Sequence, residues 1–340
     1  MLLLTTMLMT SYSWRTVPRP RELLVATDWA SASKTPSEVV WSAPSALNAS
    51  ETIEVREQCG PLGVWRSLYC TGDAGNPTDA DVQQSVTRMR RLGKGCSASA
   101  VPSEYLLSMA ALALASLHLR RAASQAPRFL FLGLGAGSLP MLLAKLVPDA
   151  DLHAVELDPT VVEAAHSSMG LDRTRVRCEV GDAQQWLRRR AEATTSATGE
   201  ARSTDEPLTS RFDAIFVDVF ASDGLTPPAF YSDQCLQDMR RALVPGGCVV
   251  ANCFHGQAES DRALSEISAG LRRAFGSGSC CLIPVFLYSG NAILAAERAD
   301  QGASTLLSQA DALPAAARRE GWRRGARFDA ARRLQEVYPF

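Results

Sequence analysis

"RFLFLGLGAGSLPMLLAKL", residues 128–146, decides how this chain reads. The run "RFLFL" is apolar without alternation and too short for a helix of its own, the pattern of a strand buried on both faces. Gly133, Gly135 and Gly137 follow, where the backbone can turn tightly and a ligand can approach closely. "SLPMLLAKL" then takes helical spacing, with Pro140 suited to a first turn. A strand, a glycine turn and a helix in succession aim the helix's free N–H groups into a crevice. The spacing is G-x-G-x-G, and Ser138 stands where the dinucleotide fingerprint has its third glycine, which disfavours a pyrophosphate ligand.

Working outward, "DLHAVELD", "RVRCEVGD", "RFDAIFVDVF" and "GGCVVANCF" repeat the scheme, each run followed by an amphipathic segment. Short apolar runs alternating with helices predict a parallel sheet covered on both faces. "CCLIPVFLYSG" and "NAILAAER" meet at a short Ser-Gly turn and predict an antiparallel hairpin at one sheet edge. Upstream, "PSEYLLSMAALALASLHLRRAA" (102–123) has the apolar density of a buried helix. "ETIEVREQ", "GVWRSLYC" and "DVQQSVTRM" alternate apolar and polar residues and predict two or three antiparallel strands. The expected organisation is α/β: a class I methyltransferase (Rossmann-like) domain over 101–300, preceded by a small β element over 51–100. Residues 1–50 are expected as an unstructured or targeting extension, 191–210 as an unstructured insertion, and 301–340 as a helical tail whose arginines form a solvated face.

The acids at the strand ends carry the chemistry. Glu156 closes the second run, nineteen residues beyond Gly137, where a carboxylate accepts hydrogen bonds from ribose hydroxyls. Asp182 follows the third run, placed for an adenine amino group, and Asp218 ends the fourth. Each alone also reads as a helix N-cap. Together, at the carboxyl edge of successive strands, they favour a nucleoside ligand.

Composition excludes several classes. Lys plus Arg total 35 against 36 Asp plus Glu, so no bulk field recruits nucleic acid or an anionic membrane. There is no apolar run long enough to span a bilayer. The 9 cysteines include no C-x-x-C pair, which favours reduced core residues over a metal or disulfide framework. A cytoplasmic protein is expected, with a mitochondrial or plastid transit peptide as the other reading of the first 45 residues.

"FLGLGAGSLPMLL", "AVELDPTVVEAA", "VGDAQQWL", "FDAIFVDVFASDGLTPPAF" and "LVPGGCVVAN" resemble the successive motifs of the spermidine-synthase-like branch of the S-adenosylmethionine-dependent methyltransferases. Within that branch they are similar to the C-terminal domain of the dual methyltransferases of translation elongation factor one alpha. The resemblance implies S-adenosyl-L-methionine as donor, with Gly133, Gly135 and Gly137 at its amino acid end, Glu156 at its ribose and Asp182 at its adenine. It adds Gln84 as a contact from the β element and a protein amine as acceptor. Aminopropyltransferases of the branch place an Asp in the glycine turn and a pair of acids after the fourth strand. Here those positions hold Ala136 and, beside Asp218, Ala221, with Asp223 two residues further on. A polyamine is a multiply charged cation whose desolvation requires carboxylates, so two missing acids favour methyl transfer.

Asp218 is then the residue to orient the acceptor amine or take its proton, unless it only caps its loop. Phe220 and the stiff Pro227–Pro228 loop are expected as the acceptor-side wall, and His255 is a second proton-transfer candidate. An aminopropyltransferase using the decarboxylated donor and a non-catalytic donor-binding subunit remain as alternatives. Expected partners are a protein substrate and, as an open alternative to a monomer, a second copy of the chain.

Overall fold

The computed structural model describes residues 20–72, 82–89, 103–120, 126–195, 211–221, 224–285, 290–299, 313–323 and 338–339. In chain order, α1 (Pro20–Ala32) precedes four strands, β1 (Glu38–Pro44), β2 (Thr52–Gly60), β3 (Gly63–Thr71) and β4 (Val82–Arg88). Helix α2 (Glu104–Arg120) leads into the repeating units β5 (Arg128–Leu132), α3 (Ser138–Leu146), β6 (Asp151–Glu156), α4 (Pro159–Ser167), β7 (Arg177–Val180), α5 (Ala183–Thr195), β8 (Phe212–Val217), α6 (Asp233–Ala242), β9 (Leu243–Phe254) and α7 (Ala258–Phe275). The chain finishes with β10 (Cys280–Pro284), β11 (Asn291–Glu297), α8 (Leu313–Arg323) and β12 (Tyr338–Pro339).

The main sheet has the order β12-β10-β11-β9-β8-β5-β6-β7. Its β9-β8-β5-β6-β7 part is parallel and β10 with β11 forms the expected antiparallel hairpin. From β5 the chain winds outward through β6 and β7, then returns to the other side of β5 for β8, which makes β5/β8 the switch point where such sheets bind ligands.

Strand alternation explains the two cores. In β5, Phe129 and Phe131 face one layer and Leu130 and Leu132 the other. The first layer is covered by α2, α3 and α8, through residues such as Met109, Leu143 and Leu313. The second is covered by α5, α6 and α7, through Trp186, Leu236 and Leu271. β1–β4 form a separate antiparallel sheet. Its Ile53, Val55 and Leu68 pack on Val161 and Ala164 of α4 and on Ala136 of the glycine turn.

Several expectations on domain limits are corrected. Residues 20–50 are not an extension. Asp28 of α1 is buried and accepts from the Trp65 indole at 3.0 Å and from the Leu62 N–H at 2.7 Å. Ser45, just after β1, donates to Asp158 at 2.6 Å, tying the small sheet to α4. The insertion starts later than position 191, because α5 runs to Thr195 with Ala191 buried; residues 196–210 lie outside the described residues. The C-terminal tail is not only helical. β12 pairs with β10, so the hairpin is not the sheet edge. α8 lays Leu313, Ala316 and Ala317 into the first core and leaves Arg318 and Arg319 exposed. Residues 1–19, Cys96, Asp223 and the Ser289 end of the hairpin turn also lie outside the described residues. No helix among the described residues is long and apolar enough to cross a membrane.

Candidate active site

The order of strands sets the order of the site. Reading across the carboxyl edge, Asp218 leaves β8, the glycine turn leaves β5, Glu156 closes β6 and Asp182 follows β7. Asp218, the three glycines, Glu156 and Asp182 therefore follow one another along one rim.

The three glycines adopt positive φ, at 84°, 52° and 74°, where side chains are strained. Their missing Cβ atoms would point at protein: at Gly133 into the Asp218 carbonyl at 2.6 Å, at Gly135 into the Ser85 Oγ at 2.8 Å, at Gly137 into Leu171 at 2.8 Å. The turn thus needs glycine for its own packing, apart from any ligand. Gly137 is also the N-cap of α3, and no side chain caps that helix. Pro140 has no N–H and the Met141 N–H donates to the Gly137 carbonyl, so the N–H groups of Ser138 and Leu139 are those that could meet an anionic group.

Glu156 organises the turn. Its Oε2 accepts from the Leu134 N–H at 2.8 Å and its Oε1 from the Asp158 N–H at 3.1 Å. Burial pushes its carboxyl above the ordinary range, opposed by the backbone N–H groups of Leu134, Asp158, Leu157 and Gly135. These backbone groups fix the carboxylate beside the glycine turn, at the carboxyl edge of the sheet. Asp182 caps α5, its Oδ1 accepting from the Gln184 and Gln185 N–H groups at 2.8 and 3.2 Å. Its second oxygen has a longer contact, 3.4 Å, from the Gln185 amide. Leu157 and Val180, at the ends of β6 and β7, are 52% and 54% exposed in a sheet whose other apolar residues are mostly covered. Both stand exposed at the same carboxyl edge as Glu156 and Asp182. Both are marked in the sequence by their places, Leu157 directly after Glu156 and Val180 two residues before Asp182.

On the other side of the turn lies a narrow crevice, lined among others by Ser85, Tyr105, Leu134, Phe216 and Asp218. Asp218 is the only acid lining it among the described residues. The Asp218 side chain does not cap its loop: Oδ1 accepts from the Asn252 amide at 2.9 Å, and the Tyr105 hydroxyl approaches Oδ2 at 3.5 Å. Desolvation pushes the Asp218 carboxyl above its usual range, opposed by the hydrogen bonds from Asn252 and Tyr105. The same burial, and the Asp218 charge, push the Tyr105 phenol up. Both amide and phenol come from residues the sequence reading did not select.

Gln84 is half-buried on β4, and it is the next residue, Ser85, that reaches the turn and lines the crevice. The Ser85 hydroxyl accepts from the Ala136 N–H at 3.2 Å. Ala136 itself is fully buried between the small sheet and α4. Phe220 lies beyond Asp218 and pairs with Phe254, ring centroids 4.7 Å apart, at the neighbouring ends of β8 and β9. Pro227 and Pro228 open a 3-10 turn whose Phe230 is anchored in the second core; neither proline lines the crevice. His255 is held through its backbone N–H, which donates to the Gly290 carbonyl. Five of the described cysteines are buried; burial pushes Cys253 and Cys280 up to about 12, which keeps these thiols protonated.

No family model matches the chain. In sequence it is 33% identical over 153 residues to the eEF1A lysine and N-terminal methyltransferase of Bos taurus, covering 43% of this chain and 20% of that protein. It is 28% identical over 168 residues to the polyamine aminopropyltransferase of Vibrio vulnificus, covering 49% of each. The chain therefore spans about a fifth of the methyltransferase and about half of the aminopropyltransferase. A solved structure of a probable spermidine synthase from Corynebacterium glutamicum superposes with a TM-score of 0.58 at 22% identity, over 87% of this chain and 90% of that one. The strand order, the rim of glycines and acids and these likenesses agree: the chain has the class I methyltransferase and spermidine synthase fold, and its sequence is similar to enzymes of both kinds.

Proposed function

We propose that the chain is an S-adenosylmethionine-dependent methyltransferase that acts on an amine of a protein. The observation that carries the reading is the single carboxylate, Asp218, in the crevice beside the glycine turn. A polyamine brings several positive charges into the site, and one described acid does not match them. A lone amine presents one charge, to be removed before transfer. Ala136 and Ala221 stand where the aminopropyltransferase pattern has acids, and Ala136 is buried under the small sheet.

The donor fits the rim. The uncapped start of α3 suits its carboxylate, the Glu156 carboxylate its ribose, and Leu157, Val180 and Asp182 its adenine. When bound, the sulfonium supplies an electrophilic methyl group. What the chain's residues supply is alignment and proton removal: Asp218 takes a proton from the incoming ammonium, and Phe131, Phe216 and Leu106 keep water from its surroundings. A carboxyl whose pKa is raised by burial takes an amine's proton more readily than an ordinary carboxylate does. The likeness to the eEF1A methyltransferase supports a protein acceptor.

The competing reading, polyamine aminopropyl transfer, is favoured by one fact: the aminopropyltransferase likeness covers a larger share of both chains. Incubating the purified chain with methyl-labelled donor and a lysate, followed by mass spectrometry, tests the proposal. Label on amines of a discrete protein supports it. Absence of protein label, with aminopropyl transfer from decarboxylated donor to a diamine, refutes it.

A further inference from the structure

Asp218 does not stand alone at the end of β8. Val217 lies in register with Ala251, so Asp218 is beside Asn252 on β9. Asn252 donates from Nδ2 to the Asp218 Oδ1 at 2.9 Å, and Asn291 of β11 donates from its own Nδ2 to the Asn252 Oδ1 at 2.8 Å. Both asparagines are 2% exposed. Buried amides in apolar strands are costly unless paired, and here the pairing has a direction. With its carbonyl held by Asn291, Asn252 presents only N–H to Asp218.

We infer that Asn291 and Asn252 form an amide relay that orients Asp218 and reserves its Oδ2 for the proton of the acceptor amine. The inference rests on the reading of Asp218 as the proton acceptor in methyl transfer. Oδ1 is occupied as an acceptor, so a proton settling there would meet the Asn252 N–H. Among the described residues, Oδ2 has only the 3.5 Å approach of Tyr105. The proton passes from the acceptor's ammonium to Oδ2. The freed lone pair forms the N–C bond as the C–S bond to the methyl group breaks, its electron pair leaving on sulfur. Asn252 and Asn291 are positioning residues; they act through Asp218. Among the described residues, the other titratable groups that face it are Tyr105 from α2 and Cys253 from β9, both kept neutral as burial raises them.

The relay is tested on the full chain labelled with carboxyl-¹³C aspartate, the Asp218 resonance being the one lost in Asp218→Asn. Asn291→Ala frees Asn252 to rotate, and the Asp218 titration should move up by about one pH unit. Asn291→Ser keeps a donor at that position and should return part of the shift. The acid limb of methyl transfer should move by the same amount, with donor affinity unchanged. If Asn291→Ala does not fold, Asn252→Ser, whose hydroxyl nothing orients, is read in its place with the same expected shift. An unmoved Asp218 titration in the folded variant overturns the relay. A moved titration in a protein that transfers no methyl group upholds the relay and refutes the functional reading instead.

Discussion

Asp218→Asn separates chemistry from structure. The change removes the charge and keeps the shape: the new Oδ1 still accepts from Asn252, and the new amide can donate to the Tyr105 oxygen, so no buried polar atom is orphaned. Desolvation raises the Asp218 carboxyl, which means that its ionised form weakens the fold. A group of this kind contributes stability that is fully present below its unfolded value and is lost as pH rises through the higher folded value. Each unit of such a shift corresponds to about 1.4 kcal/mol, and each kcal/mol to roughly 2 to 4 °C in a large domain. As pH rises from the ordinary carboxylate range toward neutrality, the melting temperature of the wild type should therefore fall relative to that of Asp218→Asn. At neutral pH the variant should melt at or above the wild type. Methyl transfer should fall by about 10²- to 10⁴-fold, the usual contribution of a positioned base, while donor affinity stays within about twofold. Calorimetric melting across pH, donor titration and a transfer assay read all three. A variant that melts several degrees lower at neutral pH, or that keeps its transfer rate, refutes the assignment.

Glu156→Ala strips an acceptor from the Leu134 and Asp158 N–H groups as well as from ribose, so donor affinity should drop at least about tenfold and stability should fall by roughly 2 to 4 kcal/mol, read by calorimetry and denaturant unfolding. Unchanged donor affinity in folded protein removes Glu156 from the donor site. Gly133→Ala meets both a left-handed φ and the Asp218 carbonyl 2.6 Å away, and should cost more than about 2 kcal/mol while shifting the Asp218 loop; a variant as stable as wild type would contradict the described turn. Asp28→Ala leaves the Trp65 indole and the Leu62 N–H without their acceptor and should destabilise the protein by about 1 to 3 kcal/mol, with a change in tryptophan fluorescence; no effect would mean that α1 does not pin the small sheet.

The parallel sheet and its rim were legible because their signals are local. An apolar run, a glycine turn and an acid at the next strand end lie within thirty residues, and backbone sterics tie them together. What escaped depends on distant partners. Helix α1 and strand β1 sit in a Ser- and Thr-rich stretch, and β1 exposes Val39 and Val40, so no inside–outside alternation marks it. Their place is fixed by pairs such as Asp28 with Trp65 and Ser45 with Asp158. The choice of Gln84 over Ser85 was a parity question. β4 meets β3 through an irregularity at Leu68/Tyr69, and a shift of one residue changes which side chain faces the turn. Tyr105 is 113 residues from Asp218 in sequence and belongs to a helix buried nearly all round, so no polar stripe marked it. Asn252 and Asn291 did leave a signal, since a polar amide inside an otherwise apolar strand demands a partner.

Comparison of two donors on the purified chain tests the central claim most directly. The open amides at the start of α3 favour a carboxylate, and no acid in the turn repels one. Titration calorimetry should show S-adenosylmethionine binding more tightly than its decarboxylated form, by about tenfold or more, the size of one charge-assisted interaction. Tighter binding of the decarboxylated donor would contradict the methyltransferase reading and support aminopropyl transfer.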